Sequence, residues 1–247
     1  MPDPADPSHG SLASKAAHDA VQLNGYPLST LDVEQVARGG RAVRLHEQGL
    51  EKLERSHAAL LGTLGDNTPI YGVNTGFGSL ARKRVDPSEL ATVQHNLIRS
   101  HASGVGEPLP KDTVRAMMLL LAASLTRGRS GVRPALVELI VAMLNAGVTP
   151  VVPSIGSLGA SGDLAPLAHL ALVLIGEGEA TDSADAILPG GDALERARLA
   201  PVELGPKEGL ALINGTHLMA AQGALLMCDT TRVFDAAVAA TAMSIDA

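Results

Sequence analysis

The tripeptide Ala160-Ser161-Gly162 lies in the small-residue run Pro153-Ser154-Ile155-Gly156-Ser157-Leu158-Gly159-Ala160-Ser161-Gly162-Asp163, where the backbone itself can react. If the Gly162 nitrogen approaches the Ala160 carbonyl carbon, the two close a five-membered ring. Glycine suits that position because no Cβ hinders its nitrogen and because it tolerates the bent backbone the ring needs. Loss of one water from the ring and one from the Ser161 side chain leaves a methylene conjugated to an imidazolone. No ordinary side chain supplies such an electrophile. Taken alone, the same residues also describe a tight strand-to-helix connection, so the rest of the chain must decide between the two.

Three further blocks give the turn its meaning. They are Tyr71-Gly72-Val73-Asn74-Thr75-Gly76-Phe77-Gly78, Asn96-Leu97-Ile98-Arg99-Ser100-His101-Ala102-Ser103-Gly104-Val105-Gly106 and Asn214-Gly215-Thr216-His217. Together with the turn, and in this order, they resemble the aromatic amino-acid ammonia-lyases, from about Gly25 to the C-terminus. The resemblance implies a self-made cofactor, 4-methylidene-imidazole-5-one, formed from Ala160, Ser161 and Gly162, with no external cofactor and no metal.

The resemblance also implies roles for individual residues. Tyr71 would be the base that removes the β-proton, although a tyrosine in a loop also serves as a surface anchor. A phenol, with an ordinary pKa of about 10, works as a base near neutrality only when positive dipoles surround it. Asn214 would place its amide on the cofactor carbonyl; its other reading is an N-cap at the start of a helix. Asp163 has two readings as well, a proton acceptor during dehydration or the cap of the helix that it begins. That helix would aim its positive end at the reactive turn. Ser100-His101 resembles the histidine-acting branch, in which His101 contacts the substrate ring. Family chains often carry Gln where this one has His217, which leaves the role of that side chain open.

The implied reaction is elimination of ammonia from L-histidine to give trans-urocanate. The alternatives are a tyrosine or phenylalanine lyase or 2,3-aminomutase using the same electrophile, or an inactive, truncated helical fragment. Other chemistries find no support. No Gly-Lys-Ser/Thr ending marks a phosphate loop. The serine turn lacks the second glycine of a nucleophile elbow. His46-Glu47 lacks the following histidine of a zinc-binding helix, and His101, His169 and His217 are too scattered for a metal cluster.

The 247 residues suffice for a substantial core. At 46% hydrophobic but only 2% aromatic, with no Trp, that core must be aliphatic. A net charge of −7 without a dense Lys/Arg tract disfavours nucleic-acid or anionic-membrane partners. The single Cys228 excludes an intrachain disulfide, fits a reducing cytoplasm and reads as a buried thiol. No signal sequence is evident, and no uninterrupted apolar run approaches the ~20 residues of a membrane span. The expectation is a soluble, cytoplasmic protein acting on a small amino acid.

The elements that must position these residues are mainly α-helical, with few short strands, as in the N-terminal domain of an ammonia-lyase/fumarase-like fold. Residues 1–19 read as a disordered leader, and a helical pattern begins at Leu31 with Asp32 in its first turn. The stretch 65–69 breaks the stripe of Leu50, Leu53, Leu60 and Leu61, and the glycine-spaced 72–78 segment reads as a mobile loop over a site. Helices follow over 89–100, 113–127 and 134–145, the last stopped by Gly147. Residues 148–153 read as extended, 163–175 as helix and 176–191 as a polar excursion with a small hairpin. From Glu208 one continuous apolar helix is expected to the end of the chain. We therefore divide the chain into a cofactor-bearing domain, 20–207, and the start of a central helical bundle, 208–247, apparently truncated. Family resemblance implies a homotetramer for the full-length form.

Overall fold

A computed structural model describes residues 20–64, 69–77, 84–86, 89–159 and 162–246. The leader, the 65–68 break, Ala160 and Ser161 lie outside the described residues. The first helix, α1 (Thr30–Ala37), shows why its sequence starts where it does. The Asp32 amide donates to Ser29 Oγ at 3.1 Å, and the Ser29 amide donates back to Asp32 Oδ2 at 3.2 Å. This reciprocal capping box satisfies two amides that a helix start leaves open. Helix α2 (Glu47–Leu64) follows, then α3 (Leu90–His101).

The core is built on α4 (Lys111–Leu125), whose Val114, Ala116, Met117, Met118, Leu119, Leu121, Ala122 and Leu125 are all buried. A helix apolar on nearly every side must be surrounded. Helices α1, α5 (Pro134–Ala146) and α9 (His217–Asp246) surround it. Pro134 opens α5, and Gly147 closes it in the left-handed conformation at φ 75°, as the sequence predicts. Helix α6 (Leu164–Leu174) is buried along most of its length and packs on α3 and on α8 (Glu208–Ile213).

The strands are short. β1 (Val21–Leu23) pairs in parallel with β2 (Val43–Leu45), and β3 (Val105–Pro108) pairs antiparallel with β5 (Pro153–Ile155). β4 (Thr149–Pro150), β6 (Glu179–Thr181) and β7 (Ile187–Pro189) form a third sheet, in which β6 and β7 are the expected small hairpin. Helix α7 (Gly190–Arg196) follows it directly.

The structure corrects several expectations. The helix from Glu208 is not continuous: α8 ends at Ile213, and α9 begins only at His217. Cys228 is half-buried rather than enclosed, with its thiol donating to the Thr30 carbonyl at 3.6 Å. The region 208–246 does reach the length and apolarity of a membrane span, because alanines lie between its larger apolar residues. Leu218, Ala221 and Leu225 of α9 are buried against the rest of the fold. Beyond them Val233, Phe234, Val238, Met243 and Ile245 are exposed.

A charge network fixes the direction in which α9 leaves the body. Arg38 of α1 holds both carboxylate oxygens of Asp229, at 2.6 and 2.9 Å, and also bonds Asp112 at 2.8 Å. Arg232 grips both oxygens of the nearly buried Glu34, each at 2.5 Å. Planar forks of this kind set orientation as well as proximity.

Candidate active site

The described residues that flank Ala160-Ser161 are tied down on both sides. The Gly162 amide donates to the Gly159 carbonyl at 2.8 Å, and Gly162 sits at φ 117°. A Cβ built there would meet nothing closer than 3.8 Å, so the backbone angle, not crowding, calls for glycine. Asp163 is wholly buried. It precedes α6 but makes no side-chain bond to that helix.

Its carboxylate instead caps a different helix. Oδ2 accepts from the amides of Leu218 and Met219, at 2.7 and 3.1 Å, in the first turn of α9. Oδ1 accepts from Ser157 Oγ at 2.5 Å, and that hydroxyl also accepts the Gly159 amide at 3.0 Å. The expected cap is thus corrected in its partner: 55 residues separate Asp163 from the amide it satisfies. A carboxylate at an N-terminus is stabilised by the helix's partial positive charge, and here it also anchors the turn. Two helix starts, α6 and α9, therefore meet at this point.

Asn214 does not begin a helix. It closes α8 at φ −97°, ψ 91° and is exposed. The next carbonyl, of Gly215, accepts the Asp163 amide at 2.7 Å, so the Asn214 block and the reactive turn abut directly. His217, the first residue of α9, has a buried Nδ1 with no hydrogen-bond partner among the described residues. Burial pushes its imidazole below the ordinary range, and the Asp163 charge offsets part of that shift.

Tyr71 opens a tightly bonded loop. Asn74 Oδ1 accepts the Ile70 amide at 2.7 Å, and the Gly72 amide donates to Thr75 Oγ1 at 3.2 Å. Among the described residues of the expected loop, two buried side chains, Asn74 and Thr75, bond its turns. Tyr71 itself is 53% exposed and meets the Phe77 ring edge-on, with centroids 6.1 Å apart. Gly72 runs against α8 so closely that a Cβ there would lie 2.3 Å from a Leu210 methyl. The Tyr71 loop is thereby seated on the helix that ends at Asn214.

His101 ends α3. Its Nδ1 lies 2.8 Å from the Leu97 carbonyl, and a carbonyl can only accept, so Nδ1 carries the hydrogen and Nε2 is left as the acceptor. With Phe77, Val93, Leu97 and Ser100 it lines a cavity of about 470 Å³. Three residues on, the Gly104 amide donates to Nε2 of His169 on α6 at 3.1 Å. Burial lowers the His169 pKa, in keeping with a neutral ring that accepts. Sequence reasoning weighed His169 only as a metal ligand. Its actual partner is a backbone amide 65 residues away, which no local pattern announces. Ser157 was missed as well, although its place two residues before Gly159 could have suggested a turn-bracing hydroxyl.

Comparison with known proteins identifies the family. The family described as aromatic amino acid lyase matches residues 28–247. Among curated relatives, the histidine ammonia-lyase of Gloeobacter violaceus is 51% identical over 94% of this chain and 45% of its own length. That of Deinococcus radiodurans is 50% identical over 88% of this chain and 42% of its own length. The chain thus spans under half the length of these relatives.

Solved structures show the same likeness. A phenylalanine aminomutase from Pantoea agglomerans matches with a TM-score of 0.82 and 36% identity, over 88% of this chain and 42% of that one. A histidine ammonia-lyase from Trypanosoma cruzi matches with a TM-score of 0.76 and 35% identity, over 83% of this chain and 39% of that one. The four ordered blocks, the mainly helical fold and the junction of the Asn214 block with the turn before α6 place the chain in the aromatic amino acid lyase family.

Proposed function

We propose that the full-length protein carrying this chain eliminates ammonia from L-histidine to give trans-urocanate, using a methylidene-imidazolone made from Ala160, Ser161 and Gly162. The observation that carries this reading is the 2.7 Å bond from the Asp163 amide to the Gly215 carbonyl, which joins the reactive turn to the Asn214 block. The residues around the turn fit such a group. Gly162 already holds a φ of 117° with space beside it, and the buried Nδ1 of His217 lacks a partner among the described residues. When formed, the ring supplies an electrophilic methylene that turns the substrate nitrogen into a better leaving group.

The chain's own residues do the remaining work in this reading. Tyr71 Oη takes the β-proton, and the Asn214 amide holds the carbonyl side of the electrophile. His101 offers Nε2 as an acceptor to the imidazole N–H of histidine, in the cavity that Phe77 also lines. Asp163 and Ser157 brace the turn. The names of the relatives at about half identity favour histidine over other substrates.

A tyrosine or phenylalanine 2,3-aminomutase is the second reading, supported by the likeness to the phenylalanine aminomutase. Turnover of each amino acid, followed by product absorbance, separates the two, and a preference for tyrosine over histidine would overturn the substrate assignment. His101→Leu should weaken histidine turnover more than it disturbs folding, although it removes the bond to the Leu97 carbonyl. For the cofactor, intact mass should show the loss of two waters, and Ser161→Ala, which has no side-chain hydroxyl to eliminate, should not show the two-water loss and should lose nearly all turnover. Wild-type turnover in Ser161→Ala would sink the mechanism.

We further propose that 20–207 bears the cofactor-forming turn and that 208–247, which supplies Asn214, opens a helical bundle whose exposed Val233, Phe234, Val238 and Met243 take helices from the rest of a tetrameric, cytoplasmic enzyme. Residues 1–247 alone should then self-associate and form negligible urocanate. A monomer by light scattering with robust activity would overturn that.

A further inference from the structure

We propose that Gln94 is a positioning residue that sets the distance between the Tyr71 loop and the helix ending at Asn214; this rests on the lyase reading, in which both residues serve one site. Gln94 lies on α3 and is 1% exposed. Its Oε1 accepts the Leu210 amide of α8 at 3.2 Å. Because an amide N–H occupies the oxygen side, the other end of the side chain must be the NH₂ group, and it donates to the Gly72 carbonyl at 3.4 Å. One side chain thus bonds the residue beside Tyr71 and the helix that Asn214 closes.

The backbones around Gln94 are pressed together from both sides. A Cβ on Gly209 would lie 2.8 Å from the Gln94 carbonyl oxygen and 2.9 Å from Oε1. A Cβ on Gly72 would collide with Leu210. Loop 70–77, α3 and α8 therefore meet at contact distance around one amide. Gln94 and His101 are seven residues apart on α3, and a heptad returns to within about 20° of the same face. The helix that presents His101 thus also carries the pin for the other two site residues. A displacement on the order of 1 Å between reacting groups can cost about a hundredfold in rate, so a buried amide that fixes this spacing matters to turnover without touching the substrate.

The test uses the full-length protein with Gln94→Met, which keeps the volume and removes both bonds, and Gln94→Glu, which keeps the acceptor for Leu210 and removes the donor to Gly72. We expect Gln94→Met to lower kcat about tenfold to a hundredfold with KM within about threefold, while the two-water mass loss stays complete. Gln94→Glu sets a carboxylate oxygen against the Gly72 carbonyl and should lower kcat at least as far, and it serves as the second variant if Gln94→Met fails to fold. Hydrogen exchange supplies a readout independent of activity: amides of 70–77 and 208–213 should lose protection together in Gln94→Met. Wild-type kcat in the folded variant, a rate loss explained by missing cofactor, or unchanged exchange in either segment would overturn the proposal. If the wild-type protein turns over no arylalanine at all, the lyase reading fails, and the exchange experiment alone decides whether Gln94 couples the two segments.

Discussion

The two halves of the candidate site are built in opposite ways. On the electrophile side, Asp163 is wholly buried and its carboxylate accepts three hydrogen bonds, from Ser157, Leu218 and Met219. On the base side, Tyr71 is half-exposed, and the one ring packed on it among the described residues is Phe77. A ring closed from backbone atoms needs its ends held together, and buried charge-assisted bonds do that. In the proposed reading a base must meet an incoming substrate, and Tyr71 is half-exposed while its neighbours Gly72, Asn74 and Thr75 carry the order. Rigidity is thus placed in different atoms: in the carboxylate itself on one side, and in the backbone beside the phenol on the other.

Substitutions that separate folding from turnover test this contrast. The largest effect on rate should come from Tyr71→Phe, which removes the hydroxyl and keeps the edge-on ring. Loss of a general base predicts a fall in kcat of about 10²- to 10⁴-fold, with stability within about 0.5 kcal/mol of wild type and the two-water mass loss unchanged. An unaltered kcat would remove Tyr71 from the chemistry.

Asp163→Asn should show the opposite pattern. It removes the charge from the start of α9 and turns one acceptor into a donor facing Ser157. The expected cost is about 2 kcal/mol, read as a melting temperature lower by roughly 4–8 °C, with slowed cofactor formation. A variant as stable as wild type would mean that the buried carboxylate is not what holds the turn to α9.

The smallest effect concerns pH. Burial puts the folded-state pKa of His169 below its ordinary value of 6.5, so the unfolded chain binds a proton first as pH falls. The stability that His169 contributes is therefore complete above 6.5 and is lost as pH drops through the folded value. His217 shifts in the same direction. Protonation at Nε2 also removes the acceptor for the Gly104 amide. Melting temperatures measured from pH 7 downwards should fall more steeply for the wild type than for His169→Gln. Parallel curves would show that this contact carries no acid sensitivity.

Much of the fold is written locally. The apolar run expected over 113–127, Pro134 with Gly147 and the hairpin between 176 and 191 are set by residues within a few positions of one another; the first forms a helix over 111–125, and the other two form as their patterns predict. The Ser29/Asp32 box is equally local, although the sequence pattern places only Asp32 in the first turn. The ordered motifs likewise point to the family. Errors arose where a residue's partner lies far along the chain. Asp163 looked like the cap of its own helix because sequence shows only the neighbours of a cap, yet its amide partners sit at Leu218 and Met219. The 208–247 stretch looked like one helix because apolar residues recur on both sides of Asn214-Gly215, a local turn signal that the expectation of one helix passed over. The break at Asn214-Gly215-Thr216 follows from the bond between the Gly215 carbonyl and the Asp163 amide.

The sequence by itself determined the groups on which the proposed chemistry draws: a serine between alanine and glycine in a small-residue turn, a tyrosine opening a glycine-spaced loop, an asparagine block, and an aliphatic set of helices to carry them. Only the tertiary structure decided which of these groups abut, which helix Asp163 caps, and that Gln94 and Gly72 seat the Tyr71 loop on α8. Periodicity and capping act through bonds spanning three or four residues, and sequence displays them directly. A buried polar group takes whichever partner the packed core brings to it, and that partner is fixed only when the helices have docked.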